Sequence, residues 1–279
     1  MTGFSADWLS LREPVDHASI NAVLRDRMVR HFANTQQIAI TDLGSGSGSS
    51  LRGLAPFFPE QQFWRLLDHD QALLNHARIA LTDWADEAQP AGERLHLKKG
   101  TKSIIVECVQ ADLAQGVPEH LLDGAHMITA SAFFDLVSVQ WIERFCRQMA
   151  DVPLPVYALL TYNGSEQWMP RHPADAAVLA AFHQDQQRDK GFGPAAGPEA
   201  AAALSGNLAA CGYSVEQAPS PWVLGSSDAG LIHALAAGSA AAVADAGLIM
   251  DKHAIGWREA RQRAVSCTIG HTDVLALPD

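Results

Sequence analysis

The stretch Ile38-Ala39-Ile40-Thr41-Asp42-Leu43-Gly44-Ser45-Gly46-Ser47-Gly48-Ser49-Ser50 decides the fold of this 279-residue chain. Its apolar and β-branched start reads as a buried strand, with Asp42 close to the strand's end. A glycine-rich turn follows at once. Glycine tolerates positive φ and carries no Cβ, so such a turn lets a backbone come close to a ligand. Three ligand classes use similar turns, and spacing separates them. A dinucleotide fingerprint wants Gly-x-Gly-x-x-Gly, but Ser49 stands where its third glycine belongs. A phosphate-cradling P-loop needs Gly-Lys-Ser/Thr after the turn, and no lysine is near. A nucleophile elbow needs a serine midway between Gly44 and Gly48, where this chain has Gly46.

The next elements extend the pattern. Leu51 to Phe58 reads as a helix stopped by Pro59. Gln62-Phe63-Trp64-Arg65-Leu66-Leu67 reads as a second strand closing on Asp68-His69-Asp70, and Gln71 to Arg78 has helical spacing. A carboxylate some twenty residues after the glycines, at the end of strand two, is placed to accept the ribose hydroxyls of a nucleoside. That residue is Asp68, while Asp70 reads as the N-cap of the helix. Ile104 to Gln110 is a β-branched third strand leading into Ala111-Asp112-Leu113. A fourth strand lies within Ala125 to Ser138 and contains Thr129-Ala130-Ser131.

The glycine spacing Asp-x-Gly-x-Gly-x-Gly, followed in order by these three strand ends, resembles the class I S-adenosylmethionine-dependent methyltransferases over residues 38–162. Similar Leu-Arg-Glu-Pro, Leu-Asp-His-Asp, Thr-Ala-Ser-Ala and Asp-Lys-Gly-Phe-Gly segments occur in a bacterial group of such enzymes, which supplies no substrate. The resemblance implies an α/β fold: a Rossmann-like seven-stranded sheet with helices on both faces, an antiparallel last strand and helical insertions. It implies S-adenosylmethionine as cofactor, held by Asp42, Gly44, Ser45, Gly46, Gly48, Asp68, His69, Ala111, Asp112, Leu113, Thr129, Ala130 and Ser131. In that setting Asp68 would take the ribose, His69 would lie along the adenine, and Asp112 would accept from the adenine amino group. Asp112 is equally a residue type that caps helices. The Asn/Asp-Pro-Pro-Tyr/Phe tetrapeptide of amino-group methyltransferases acting on adenine, cytosine or glutamine is missing after strand four, which argues against those substrates.

Composition sets further bounds. Hydrophobic residues make up 48% and charged residues 18%, as in a well-packed enzyme. The formal net charge of −11 argues against nucleic acid, whose phosphates need a basic footprint. The four cysteines are isolated, which suggests neither a zinc knuckle nor a redox pair, and no histidine pair has metal-ligand spacing. No basic, apolar leader opens the sequence, and no run of 18 apolar residues is uninterrupted; Ala229 to Ala246 comes nearest and reads as a packed helix. The expectation is a cytoplasmic enzyme of the form EC 2.1.1.- with a small-molecule acceptor and no membrane partner. Its oligomeric state stays open, a homodimer included.

The flanks carry the substrate side. Residues 1–37 are expected to form a helical cap, with a helix over 15–33. Leu11-Arg12-Glu13-Pro14 before it is either a contact to the substrate or to the methionine carboxylate of the cofactor, or a surface turn opening a helix. Residues 38–279 would form the methyltransferase domain. Arg94 to Leu97 and Ser103 onward read as a hairpin feeding strand three. Val156 to Tyr162 is strand five, and 163–193 is an insertion or lid containing a helix over 174–188. Insertions at the carboxyl edge of an open sheet are where substrates bind. The pocket candidates are therefore Arg12, Phe133, Asp135, Tyr162, Trp168, His183, Arg188 and Lys190. His183, Asp135 and Tyr162 are the types a general base would need, but no motif fixes one, so the catalytic residue stays open. A return helix over 198–211, strands at 213–216 and 272–277, and helices near 228–248 and 253–264 complete the chain. Two other readings remain: a protein that binds S-adenosylmethionine without catalysis, and a nicotinamide-dependent oxidoreductase.

Overall fold

The computed structural model of the protein describes residues 4–189, 191–247 and 251–279. Ten strands form one mixed sheet: β1 (Gln37–Leu43), β2 (Gln61–Asp68), β3 (Glu87–Ala91), β4 (Arg94–Lys99), β5 (Lys102–Gln110), β6 (Met127–Ser131), β7 (Val156–Met169), β8 (Tyr213–Pro219), β9 (Trp222–Leu224) and β10 (Ser266–Pro278). Their order is β3-β4-β5-β2-β1-β6-β7-β10-β8, with β9 also on β10. The seven-stranded frame expected from the sequence is β5-β2-β1-β6-β7-β10-β8. Pairs β5/β2, β2/β1, β1/β6 and β6/β7 are parallel, and β10 runs antiparallel to β7 and β8. The sheet is wider than expected because β3 and β4 add an antiparallel edge to β5, and β9 adds a short strand.

Alternation along the strands supplies two cores. Ile38, Ile40, Trp64, Leu66, Ile104 and Val106 belong to one, while Leu43, Leu67, Ile128, Ala130, Val156 and Ala158 belong to the other. Leu66 and Leu67 fall in different cores because successive strand side chains point to opposite faces. Helices α5 (Val139–Asp151) and α7 (Ala200–Ala210) cover the second core. Helices α2 (Ala22–His31), α3 (Ser49–Leu54) and α4 (Gln71–Trp84) contribute to the first. Asp70 caps α4, its side chain accepting from the Ala72 amide.

The chain departs from the expected elements at both flanks. The helix expected over 15–33 is two helices, α1 (Ala6–Ser19) and α2. Leu11-Arg12-Glu13-Pro14 lies inside α1, and Pro14 is internal rather than a helix start. Ser5 caps α1 and Asn21 caps α2, its side chain accepting from Val23 and Leu24. The fifth strand does not stop at Tyr162: β7 continues to Met169, through the first part of the segment read as an insertion, and pairs there with Ser266 to Ile269 of a longer β10. Helices α6 (Asp175–Gln186), α8 (Ala229–Asp245) and α9 (Asp251–Arg261) pack with this extension beyond the carboxyl edge of the sheet. Residues 226–245 are long and apolar enough to cross a membrane by length and composition, but α8 buries Leu231, Ile232, Ala236, Ser239, Ala240 and Val243 within the fold.

One buried side chain ties these flanks to the frame. Asp273 on β10 is fully buried, and its two oxygens accept from the Leu160 amide and the Asn21 amide, each at 2.8 Å. Leu160 has φ +51°, a conformation that strains a leucine and lies where β7 starts its extension. Asp273 therefore holds the α1–α2 joint against the irregular point of β7.

Candidate functional site

The glycine turn lies at the carboxyl ends of β1 and β2, beside β6, where the strand order reverses direction from β1. Ligands of open α/β sheets bind at that place. Gly44, Gly46 and Gly48 all have positive φ, at +61°, +51° and +75°. The turn is held by the Ser45 amide donating to Leu67 O at 2.9 Å and the Gly48 amide donating to Ser45 O at 2.8 Å. Asp68 secures its middle: Oδ2 accepts from the Gly46 amide at 2.9 Å, and Oδ1 accepts from the Asp70 amide at 2.9 Å. A Cβ on Gly44 would stand 2.6 Å from the Phe133 ring, and one on Gly46 would stand 3.0 Å from Leu9 of α1. Phe133 and α1 thus roof the turn. Two further contacts seat α1: Glu13 pairs with Arg52, and His17 Nε2 lies 2.9 Å from Ser49 O.

The polar groups at the turn fit a nucleoside ligand. Asp42 Oδ2, Ser45 Oγ and Ser47 Oγ are buried without a hydrogen-bond partner among the described residues. Buried polar atoms in native folds are nearly always paired, so a cluster without partners suits a ligand. Asp42 Oδ1 accepts from Thr129 Oγ1 at 2.8 Å, which fixes the carboxyl between β1 and β6. Complete burial raises the Asp42 pKa to about 7. A raised carboxyl binds its proton more tightly in the folded state, so this contribution is fully present below the ordinary range near 4 and is lost as pH rises through about 7. Asp42→Asn removes it. The melting temperature of the native protein minus that of the variant is expected to fall between about pH 4 and pH 7; a difference flat across that range contradicts the assignment.

The remaining cofactor-side candidates line the same edge. His69 is half exposed, with Nδ1 3.3 Å from Asp68 Oδ1. Ala111 and Leu113 are buried; Asp112 is exposed and accepts from the Ala114 amide within a turn, and it starts no helix among the described residues. Thr129 and Ala130 are buried, and Ser131 is half-buried before Ala132, a non-glycine residue at φ +49°.

On the substrate side the structure draws some candidates together and separates others. Arg12 makes a bidentate pair with Asp16 at 2.8 and 3.1 Å and lies 4.9 Å from the Trp222 ring, whose Nε1 donates to Asp16. Burial raises the Asp16 pKa, against the pull of Arg12. Phe133 belongs to an aromatic group with Trp141 and Phe192, at 5.4 and 6.0 Å. Asp135 is fully buried, which raises its pKa to about 6, and Oδ1 has no hydrogen-bond partner among the described residues. The Tyr162 hydroxyl lies 3.2 Å from Glu166 Oε1 and 3.0 Å from His183 Nε2. Burial raises Tyr162 and Glu166 and lowers His183. Trp168, in contrast, is packed in the extension at 5.6 Å from Trp257, under Arg261. Arg188 is exposed and paired with Asp185 at 3.0 Å. Lys190 lies outside the described residues.

The sequence reading missed Leu9, Asp16, Trp222 and His271. His271 is buried on β10 opposite Tyr162, 5.0 Å from the Trp222 ring, and its Nδ1 has no hydrogen-bond partner among the described residues. Burial, with Arg12 nearby, pushes its pKa down to about 3. A signal existed in the alternation Cys267, Ile269, His271, Asp273, which continues the inward face of the last strand with two polar residues.

No family model and no curated protein matches this sequence. Solved structures do. A cyclopropane-fatty-acyl-phospholipid synthase-like protein from Lactobacillus casei aligns with TM-score 0.50 and 13% identity, covering 95% of this chain and 99% of that one. YjhP from Escherichia coli aligns at TM-score 0.48 and 15% identity, over 98% and 99%. Magnesium protoporphyrin IX methyltransferase from Synechocystis, determined with bound S-adenosylmethionine, aligns at 0.42 and 11%, over 79% and 80%. At these identities the likeness speaks for fold alone, and the first of the three carries it. With the strand order and antiparallel β10 described above, the chain has a Rossmann-like α/β fold shared with the first of these proteins.

Proposed function

We propose that the protein is an S-adenosylmethionine-dependent methyltransferase acting on a small molecule. The observation that carries this reading is the positive-φ glycine turn with unpartnered Asp42, Ser45 and Ser47 atoms, closed by Asp68 at the end of the next strand. The turn and Asp68 would hold the nucleoside, with Asp68 taking the ribose, and Asp112 and His69 bordering the base. When bound, the sulfonium supplies an already activated methyl group. The work left to the chain is to align the acceptor and exclude water, and such positioning can contribute roughly 7–11 kcal/mol to a barrier. Phe133, Phe192 and Trp141 form a dry wall on that side, and Leu9 closes the roof.

Calorimetric titration tests the reading. S-adenosylmethionine and its demethylated product are expected to bind and to raise the melting temperature, while NAD(H) leaves both signals unchanged. Absence of heat and thermal shift at millimolar methyl donor removes the proposal. Binding of NAD(H) instead would favour the oxidoreductase.

A further inference from the structure

A second pair of buried polar atoms stands apart from those of the glycine turn. Asp135 Oδ1 and His271 Nδ1 are buried and have no hydrogen-bond partner among the described residues. They come from elements far apart in the sequence. Asp135 follows β6; His271 is on β10, in register with Tyr162 of β7. The Tyr162 backbone amide interacts with Asp135, and the Arg12 guanidinium acts on both Asp135 and His271. The rings of Trp222 and Tyr162 lie 5.0 and 6.2 Å from His271. Phe133, two residues before Asp135, is the side chain that covers Gly44. Both residues therefore neighbour Tyr162 and lie within the field of Arg12, and the chain just before Asp135 covers the turn.

Charge decides what fits between them. Arg12 is already matched by Asp16 in a two-bond pair, so it calls for no anion. Asp135 has no such match. An ionised carboxylate accepts only, and a neutral imidazole offers one lone pair and one N–H. Burial lowers His271 far enough that its ring is neutral at physiological pH. The partner these atoms lack is a group that carries a proton and can give it up.

We propose that Asp135 and His271 form the methyl-acceptor pocket, and that the acceptor is a small ring-bearing molecule whose nucleophile is a hydroxyl or an amine. The proposal rests on the methyl-transfer reading above. The acceptor oxygen or nitrogen forms a bond to the methyl carbon as the methyl–sulfur bond breaks. That electron pair stays on sulfur and discharges the sulfonium. The proton of the hydroxyl or amine passes to Asp135 Oδ1, so the carboxylate ends neutral and charge balances. His271 holds the acceptor through its free ring nitrogen. Asp135 is the catalytic residue in this scheme, and Tyr162 and Arg12 are positioning residues that fix Asp135 and His271.

The test uses the full chain with methyl-labelled S-adenosylmethionine and four probes: phenol, benzyl alcohol, benzylamine and benzyl mercaptan. Label is expected in at least one hydroxyl or amine probe and not in the thiol alone. Asp135→Asn should lower kcat roughly 100-fold or more, the size of a general-base effect. It should also abolish a rise of rate with pH near 6, while binding of the demethylated cofactor product stays within about twofold of native. His271→Asn should raise KM more than it lowers kcat. A second readout needs no turnover: carbon-13 NMR of labelled aspartate carboxyls should show one resonance titrating near pH 6, missing in Asp135→Asn and displaced by phenol or benzylamine. Label in the thiol only overturns the proposal, as do label in no probe while the cofactor binds, an unimpaired Asp135→Asn, or a resonance indifferent to the probes. If the native protein binds neither S-adenosylmethionine nor its product, the methyl-transfer reading fails, and the NMR displacement still reports separately on the pocket.

Discussion

Asp68→Ala is expected to weaken binding of S-adenosylmethionine and of its demethylated product by about 1–3 kcal/mol, roughly 5- to 150-fold in Kd. Two effects combine. The variant removes the carboxylate placed to accept ribose hydroxyls at the end of β2. It also leaves the Gly46 and Asp70 amides without their acceptor, so the turn itself loosens. Asp68→Asn separates the two effects, because its side-chain oxygen can still accept from one amide. It should keep more of the thermal stability than alanine while losing affinity. Titration of both variants checks this. Equal affinity in native protein and Asp68→Ala would place the nucleoside elsewhere.

Asp273→Ala is expected to cost about 2–4 kcal/mol of folding stability, since it strands a buried backbone donor, at about 1–3 kcal/mol, and a part-buried one, at less. Those donors are Leu160 N, at a strained left-handed residue, and Asn21 N, at the joint between α1 and α2. Denaturant unfolding measures the loss. Because Asn21 sits at the end of α1, hydrogen exchange in residues 6–31 should accelerate more than in β1, β2 and β6. A variant as stable as the native chain, or one that loosens all elements equally, contradicts the role given to Asp273.

The contrast between these two residues shows which parts of the molecule the sequence discloses. The place of Asp68 at the end of β2 was legible because its signal is local: a strand, a glycine turn, a helix and an acidic strand end follow one another within a few dozen residues. The parallel frame and the antiparallel last strand follow from the same run of local signals. Asp273 and His271 were not legible, because their partners are distant in the chain; Asn21 and Asp273 are 252 residues apart. The first helix was missed for a related reason. Pro14 favours a helix start by propensity, yet here it sits inside α1, a helix seated by Asp16, Glu13 and His17 through contacts to Trp222, Arg52 and Ser49. Trp168 and Tyr162 looked equivalent by type and position. Packing distinguishes them: Trp168 lies against Trp257 in the extension, and Tyr162 stands opposite His271 on β10. Tertiary contacts, which leave no periodic trace, made that division.

The central claim is that the turn at 44–48 holds a sulfonium nucleoside. A crystal structure with the demethylated product tests it most directly. The account predicts the ribose on Asp68, the adenine between His69 and Asp112, and the sulfur beside Phe133, with α1 over the ligand. Ligand density away from the glycine turn, or none at saturating concentration, would contradict it.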